Sequence, residues 1–159
     1  MTKRYYSYQE FLADTHALTQ KIHWEFDAIV AIARGGMSLA QLLGEYYNLR
    51  SVYTINTIGY EGSQKLEGVE VFNLPNLAGA TRVLIVDDIV DSGDTLGAVL
   101  RVLTEAYPQI CFRSASLFYK QSANRLPDWY VQEAGSDWIE FFWSEDMIRK
   151  PDFSYNDYN

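Results

Sequence analysis

The sequence predicts an α/β fold in which a largely parallel, twisted sheet is flanked by helices. Two short apolar runs, residues 28–33 and 83–86, are typical of strands that are buried on both faces. Each run is followed by apolar residues at helical spacing, over residues 38–47 and 95–107. Strands that alternate with helices indicate parallel strands joined by helical crossovers. A chain of 159 residues is long enough for one such domain, residues 1–159.

A further helix is predicted near the start of the chain, over about residues 8–23. Ser7 and Glu10 have the spacing of a capping box, in which each side chain accepts a hydrogen bond from the other residue's backbone amide. Phe11 and Leu18 then fall on one helical face. The sequence therefore places an amphipathic helix before the first apolar strand.

The remaining elements continue the alternation. Apolar or β-branched runs predict four more strands, at residues 52–58, 69–72, 111–119 and 130–131. Residues 59–68 are polar and glycine-rich, and we expect a mobile excursion between two strands there. In α/β sheets, ligands bind beyond the carboxyl ends of the strands, and both Arg34-Gly35-Gly36 and Asp87-Asp88 lie at such ends.

Composition and charge exclude several classes of protein. Hydrophobic residues make up 48% of the chain and charged residues 21%, which is typical of a globular domain. The net charge of -8 argues against a nucleic-acid partner, because such a surface repels phosphate backbones. The sequence has no apolar run long enough for a membrane span and no recognisable signal peptide. Its one cysteine, Cys111, favours a reducing, cytoplasmic compartment, and we expect this thiol to be inert in the core.

The most informative residues follow the apolar run at 83–86. A buried strand there delivers Asp87 and Asp88 to its end, and a short loop with Ser92, Gly93 and Thr95 then opens onto a helix. Backbone amides, hydroxyl groups and the helix dipole favour an anion in such a loop. The carboxylates would repel a phosphate unless they serve hydroxyl groups or a divalent cation, and one or two carboxylates suit Mg²⁺. The spacing therefore predicts a phosphorylated sugar near Mg²⁺.

Other folds with acids or glycines at strand ends do not fit. A response-regulator receiver domain needs roughly 100 residues after its acid pair, whereas this chain of 159 residues has only 71 after Asp88. A P-loop needs Gly-x-x-x-x-Gly-Lys-Ser/Thr, which the sequence does not contain. A dinucleotide site needs Gly-x-Gly-x-x-Gly after the first strand, and residues 33–37 do not supply it.

The same segment resembles the phosphoribosyl-diphosphate (PRPP) signature of the type I phosphoribosyltransferases. Four apolar residues, two acids, two apolar residues and Asp-x-Gly-x-Thr stand in the family's order. The resemblance implies that the catalytic acids Asp87 and Asp88 face the ribose hydroxyls and Mg²⁺, with Asp88 as metal ligand. It implies that Asp91 is a general acid/base near N7 of the base. The PRPP phosphate loop corresponds to Ser92, Gly93, Asp94 and Thr95. Asp94 departs from what a phosphate loop needs, so we expect its carboxylate to point outward.

Two further segments extend this resemblance. Arg34 and Gly35 are similar to the family's diphosphate loop, which implies that they bind pyrophosphate. Residues 59–68 are similar to its flexible catalytic loop, with Tyr60 and Lys65 as expected contacts. Many members of the family carry Ser-Tyr where this chain has Gly59-Tyr60, so the chain departs from the family's pattern at this loop.

The C-terminal region resembles that of bacterial xanthine-guanine phosphoribosyltransferases. Lys120 ends a predicted strand, and Trp138 and Ile139 begin a Trp-Ile-Glu-x-x-Trp run at comparable spacing. A lysine can donate to an exocyclic oxygen, and an indole can stack on a planar ring. The resemblance implies that Lys120 meets the purine O6, that Trp138 stacks on the ring and that the Ile139 backbone contacts its far edge. It also implies a small C-terminal hood over about residues 120–150.

Together these resemblances imply a purine salvage enzyme. It would transfer the phosphoribosyl group of PRPP to N9 of guanine, xanthine or hypoxanthine and release pyrophosphate, with Mg²⁺, as a homo-oligomer (dimer or tetramer). Two alternatives stay open. One is a phosphoribosyltransferase for another base, although those enzymes share the PRPP signature and not the pairing of Lys120 with Trp138. The other is a non-catalytic, PRPP-sensing regulator, which would usually carry a basic surface or a DNA-binding domain that this acidic chain does not offer.

Overall fold

A larger, mostly parallel sheet and a smaller parallel sheet organise the described part of the chain. The computed structural model describes residues 1–59 and 68–148. The strands are β1 (Lys3–Tyr6), β2 (Ala28–Ala33), β3 (Val52–Gly59), β4 (Val69–Phe72), β5 (Arg82–Val90), β6 (Cys111–Tyr119), β7 (Trp129–Glu133) and β8 (Trp138–Phe141). The helices are α1 (Tyr8–Lys21), α2 (Met37–Tyr46), α3 (Asp94–Ala106) and α4 (Phe142–Ile148). Each described helix falls short of the length and apolar character that crossing a bilayer requires.

The larger sheet has six strands in the order β4-β3-β2-β5-β6-β7. Its strands are parallel except for β4, which is antiparallel to β3 at one edge. Alternate residues of the central strands face two different cores. Ile29 and Leu84 pack with α1 and α2 on one face of the sheet, whereas Val30 and Ile85 pack with α3 on the other face. This double burial explains why β2 and the first half of β5 are continuously apolar.

The smaller sheet joins the two ends of the described chain. β1 pairs with β8 in parallel, with Tyr6 opposite Phe141. The Tyr6 ring meets the rings of Phe118 and Phe141 edge to face, so the small sheet packs on the end of β6. We call β1, β8 and α4 the hood. Within the segment predicted to form a hood, over about residues 120–150, β7 belongs to the larger sheet and β8 to the smaller one.

The structure confirms the predicted fold class and corrects several details. The capping box at Ser7 is present, and α1 begins at Tyr8. β5 continues through Asp87 and Asp88 to Val90, so the acid pair lies within the strand and not beyond its end. The expectation that Cys111 is buried was wrong. Cys111 is exposed at the first position of β6, opposite Arg82, because the buried part of that strand begins three residues later.

Candidate active site

Two adjacent acids lie near the carboxyl end of β5, the strand between β2 and β6. Asp87 and Asp88 are both partly buried. The Asp88 backbone N–H donates to Asp87 Oδ1 at 2.9 Å, and the Ile89 N–H donates to Asp88 Oδ1 at 2.7 Å. Burial, followed by the charge of Asp88, raises the pKa of Asp87 well above its usual value, and burial also raises the pKa of Asp88. The pair is therefore poised to take up a proton, a cation or hydroxyl donors.

The turn after β2 packs directly against these acids. The Ala33–Arg34 peptide bond is cis. A Cβ on Gly35 would lie 2.5 Å from Asp88 Oδ2, and a Cβ on Gly36 would lie 2.3 Å from the carbonyl oxygen of Val86. Only glycine allows the backbone to come this close to the acid strand. The two glycines thus bring the Arg34 turn and the acid pair into one site.

These residues line a cavity of about 740 Å³, which we call the acid cavity. Arg34, Gly35, Asp87, Asp88 and Thr95 all contribute to its wall. α4 contributes four further lining residues, Trp143, Ser144, Met147 and Ile148. No role was predicted from the sequence for these α4 residues. Trp143 is the second tryptophan of the Trp-Ile-Glu-x-x-Trp run, and its place in that run could have indicated a role.

A second cavity, of about 710 Å³, lies at the N-terminus of α3, and we call it the loop cavity. Ser92, Gly93, Asp94 and Thr95 line it, together with Asn124 from the segment after β6. Thr95 borders both cavities, so the two sites adjoin at the first turn of the helix. A helix N-terminus with free amides and hydroxyl groups is an anion site, so an anion here would lie next to the acids.

Lys120 and Asp91 are brought together by neighbouring parallel strands. Asp91 follows β5 and Lys120 follows β6, whose carboxyl ends lie side by side. The Lys120 Nζ lies 3.0 Å from Asp91 Oδ1, with 21% of the lysine side chain and 62% of the aspartate side chain exposed. The Lys120 backbone N–H donates to the Val90 carbonyl oxygen at 2.9 Å, which fixes where the side chain starts. A role was predicted from the sequence for each residue, but this ion pair was not.

Trp138 and Ile139, the remaining predicted residues that the structure describes, do not line either cavity. Trp138 and Ile139 are in the hood, where Trp138 is 53% exposed and Ile139 is buried. The backbone N–H of Trp138 donates to the Thr2 carbonyl oxygen at 2.8 Å. Among the described residues that line the acid and loop cavities, neither Lys120 nor Trp138 occurs. Tyr60 and Lys65, the predicted loop contacts, are outside the described residues.

Comparisons with known proteins identify the family. Residues 1–148 match the phosphoribosyl transferase domain. The xanthine-guanine phosphoribosyltransferase of Chromohalobacter salexigens is 35% identical over 139 residues, 86% of this chain and 81% of that protein. The enzyme of the same name from Gluconobacter oxydans is 37% identical over 79% of this chain and 73% of its own length.

Solved structures agree with these relatives. The xanthine-guanine-hypoxanthine phosphoribosyltransferase of Helicobacter pylori superimposes with a TM-score of 0.85 and 39% identity, covering 92% of this chain and 96% of that one. A purine phosphoribosyltransferase from Pyrococcus horikoshii gives a TM-score of 0.78 at 29% identity, covering 91% and 95%. The acids on β5, the loop at α3 and the Arg34 turn therefore lie in a fold shared with these enzymes. This chain belongs to the phosphoribosyl transferase domain family.

Proposed function

We propose that the protein is a purine salvage enzyme that transfers the phosphoribosyl group of PRPP to N9 of a 6-oxopurine. The observation that carries the proposal is the adjacency of the acid and loop cavities at Thr95. PRPP has a phosphate at one end of its ribose and a pyrophosphate at the other, with two hydroxyl groups between them. A site that binds it needs two anion-binding loops on either side of hydroxyl acceptors, and these two cavities supply that order.

Each group has a role that follows from its position. The loop of residues 92–95 would hold the 5′-phosphate, and Asp87 and Asp88 would accept hydrogen bonds from the ribose hydroxyls. Arg34 and the Gly35 backbone would hold the pyrophosphate. In the reaction the bond from C1 to the pyrophosphate oxygen breaks, a bond from C1 to N9 of the base forms, and the base loses a proton, which Asp91 would accept. The ribose gains oxocarbenium character on the way, so the chain contributes mainly positioning and charge stabilisation.

The acid pair also supports a requirement for Mg²⁺. Among the described residues, no group of three or more His, Cys, Asp or Glu side chains could enclose a metal. Mg²⁺ does not need such a cage, because it binds one or two carboxylates together with substrate oxygens and water. Asp88 is suited to this task, since the absence of a Cβ at Gly35 leaves its carboxylate in an open cradle. The ion would neutralise charge on the departing pyrophosphate.

The ion pair of Lys120 with Asp91 matches one edge of a 6-oxopurine. The N7–H tautomer of a 6-oxopurine presents an acceptor, O6, beside a donor, N7–H, whereas adenine presents an amino donor in the place of O6. The Lys120 ammonium has three donors, so it can remain bonded to Asp91 and still donate to O6. The ionised Asp91 would accept a hydrogen bond from N7–H of the incoming base and take up that proton as N9 bonds to C1, which would make it the general base. Trp138, half-exposed in the hood, would stack on the ring, with the Ile139 backbone at its far edge.

A base panel tests this proposal. Purified protein with PRPP and Mg²⁺ is offered guanine, xanthine, hypoxanthine and adenine, and pyrophosphate release is followed. We expect the oxopurines to be favoured by roughly ten- to a hundredfold, because adenine would leave a buried donor facing Lys120. Lys120→Ala should narrow that gap, mainly by raising KM for guanine. Preference for adenine or a pyrimidine would contradict the assignment of the base, and PRPP binding with no release for any base would indicate a regulator.

A further inference from the structure

The loop cavity contains one acid that the proposed chemistry does not use. Asp94 is the first residue of α3 and lines the cavity beside Ser92 and Thr95. A carboxylate in the first turn of a helix interacts favourably with the helix dipole. It also repels any phosphate that binds at the same helix N-terminus. A phosphate loop that contains Asp94 therefore needs a way to keep this carboxylate away from the bound anion.

Asn124, which follows β6 in the chain, binds this carboxylate. Its side-chain Nδ2 donates to Asp94 Oδ1 at 2.5 Å. Its backbone N–H donates to the carbonyl oxygen of Ser92 at 2.7 Å, two residues before Asp94. Asn124 also lines the loop cavity. A single residue thus holds both the backbone of the phosphate loop and its surplus carboxylate.

Gly93 makes room for this contact. Its φ is 89°, in the left-handed region that favours glycine. A Cβ at Gly93 would lie 2.5 Å from Asn124 Oδ1 and 2.6 Å from the backbone nitrogen of Arg125. The Asn124 amide therefore lies with its oxygen towards Gly93 and its nitrogen towards Asp94. The segment that begins at Lys120 is thereby packed against the phosphate loop and hydrogen-bonded to it.

We propose that Asn124 is a positioning residue for the 5′-phosphate. Its amide holds the Asp94 carboxylate to one side of the loop, so that a phosphate meets the loop's donors without an adjacent free negative charge. A neutral amide satisfies the carboxylate without bringing a second charged group to the phosphate. The inference rests on the proposed function, because it assumes that the loop cavity receives the 5′-phosphate of PRPP.

Steady-state kinetics of four proteins test the proposal: wild type, Asn124→Ala, Asp94→Asn and the double variant. Asn124→Ala should raise KM for PRPP about tenfold, because it removes the hydrogen bond to a charged group, and KM for guanine by less than about threefold. With a neutral residue at 94 the Asn124 amide has no charge to restrain. The double variant should therefore lie within about twofold of Asp94→Asn in its KM for PRPP.

Asn76→Ala serves as the control variant. Asn76→Ala also removes one side-chain hydrogen bond to an exposed backbone amide, that of Ala78, and should leave both KM values unchanged. If Asn124 served only to fold its loop, its loss would raise KM by the same factor whether residue 94 is Asp or Asn. That result overturns the proposal, and so does an unchanged KM for PRPP in Asn124→Ala. Should Asn124→Ala not fold, Asn124→Ser replaces it, since the shorter side chain also loses the bond to Asp94.

A binding measurement separates this inference from the proposed function. Calorimetric titration of the four proteins with ribose 5-phosphate reports on the loop without turnover, and the same pattern of affinities is expected. Wild-type protein that releases no pyrophosphate with any purine contradicts the proposed function. If substitution at Asn124 leaves the affinity for ribose 5-phosphate unchanged, the positioning role is contradicted, whatever the result of the activity assay.

Discussion

The proposed PRPP site and the hood are built in different ways. In the larger sheet, residues 87–95 form one continuous stretch in which a strand, a loop and a helix N-terminus follow one another. In the hood, β8 is paired with a strand from the other end of the chain, and Lys3 bonds Glu140 across 137 residues of sequence. The acids and the donors proposed for PRPP therefore come from one local stretch, which Asn124 supports from outside it, whereas the surface that carries Trp138 depends on a long-range contact between β1 and β8. We expect substitutions in the two regions to change different kinetic constants.

The largest effect should come from the larger sheet, with Asp91→Asn. Asparagine keeps the shape of the side chain and loses the ability to exchange a proton, so turnover should fall by about 10²–10³. KM for PRPP should change much less, because the phosphate loop and the acid pair are intact. Single-turnover measurements of product formation give the chemical rate. Glu105→Gln, an exposed acid later in α3, serves as the control for loss of one charge. An unchanged rate with lost PRPP binding would make Asp91 a structural residue of the loop.

We expect a smaller effect, confined to KM for the base, from a substitution in the hood. The Lys3 Nζ lies 2.7 Å from Glu140 Oε1, and Glu140 is 6% exposed while Lys3 is 71% exposed. Lys3→Ala removes this bond and should loosen the pairing of β1 with β8, in which Lys3 lies opposite Trp138. KM for guanine should rise about threefold, as expected for losing part of a charged hydrogen bond, with KM for PRPP nearly constant.

Lys21→Ala is the matched control for the hood. Lys21 is also an exposed lysine with one long-range bond, to the Tyr130 carbonyl oxygen at 2.9 Å, and it lies outside the hood. Its loss should leave both KM values unchanged. Equal changes in KM for guanine and for PRPP in Lys3→Ala would show that the hood acts on the whole site and not on the base.

The same contrast explains what could be predicted from the sequence. β2 and β5 were predictable because burial on both faces leaves a continuous apolar run. The position of the acids at the ligand-binding edge then followed from the parallel topology. β1 was missed, because a four-residue strand with two basic residues has no such pattern and its partner is far away in the sequence. Asn124 was missed because a single polar residue in a loop has no periodicity, and only the structure places its amide on Asp94.

The smallest effect we predict concerns stability, and it contrasts the acid pair with the hood ion pair. Burial and then the charge of Asp88 raise the pKa of Asp87, so its ionised form is disfavoured in the folded protein. A group whose pKa is higher in the folded protein than in the unfolded one favours folding while it is protonated. This contribution is complete below the unfolded-state pKa, about 3.9 for aspartate, and is lost as the pH rises through the folded-state pKa. Without Mg²⁺, the acid pair should therefore destabilise the fold at neutral pH, where the pair of Lys3 with Glu140 stabilises it.

Asp87→Asn isolates the contribution of Asp87 to the free energy of unfolding, because it keeps the shape of the side chain and removes its titration. In urea unfolding with a chelator present, the variant should exceed wild type in unfolding free energy at pH 7. The difference should shrink towards pH 4, where Asp87 takes up a proton in both the folded and unfolded states. Glu105→Gln should show no such pH-dependent gain. Parallel pH profiles for wild type and Asp87→Asn would mean that Asp87 is ionised without cost, and that Asp88 and the Gly35 turn accommodate both charges.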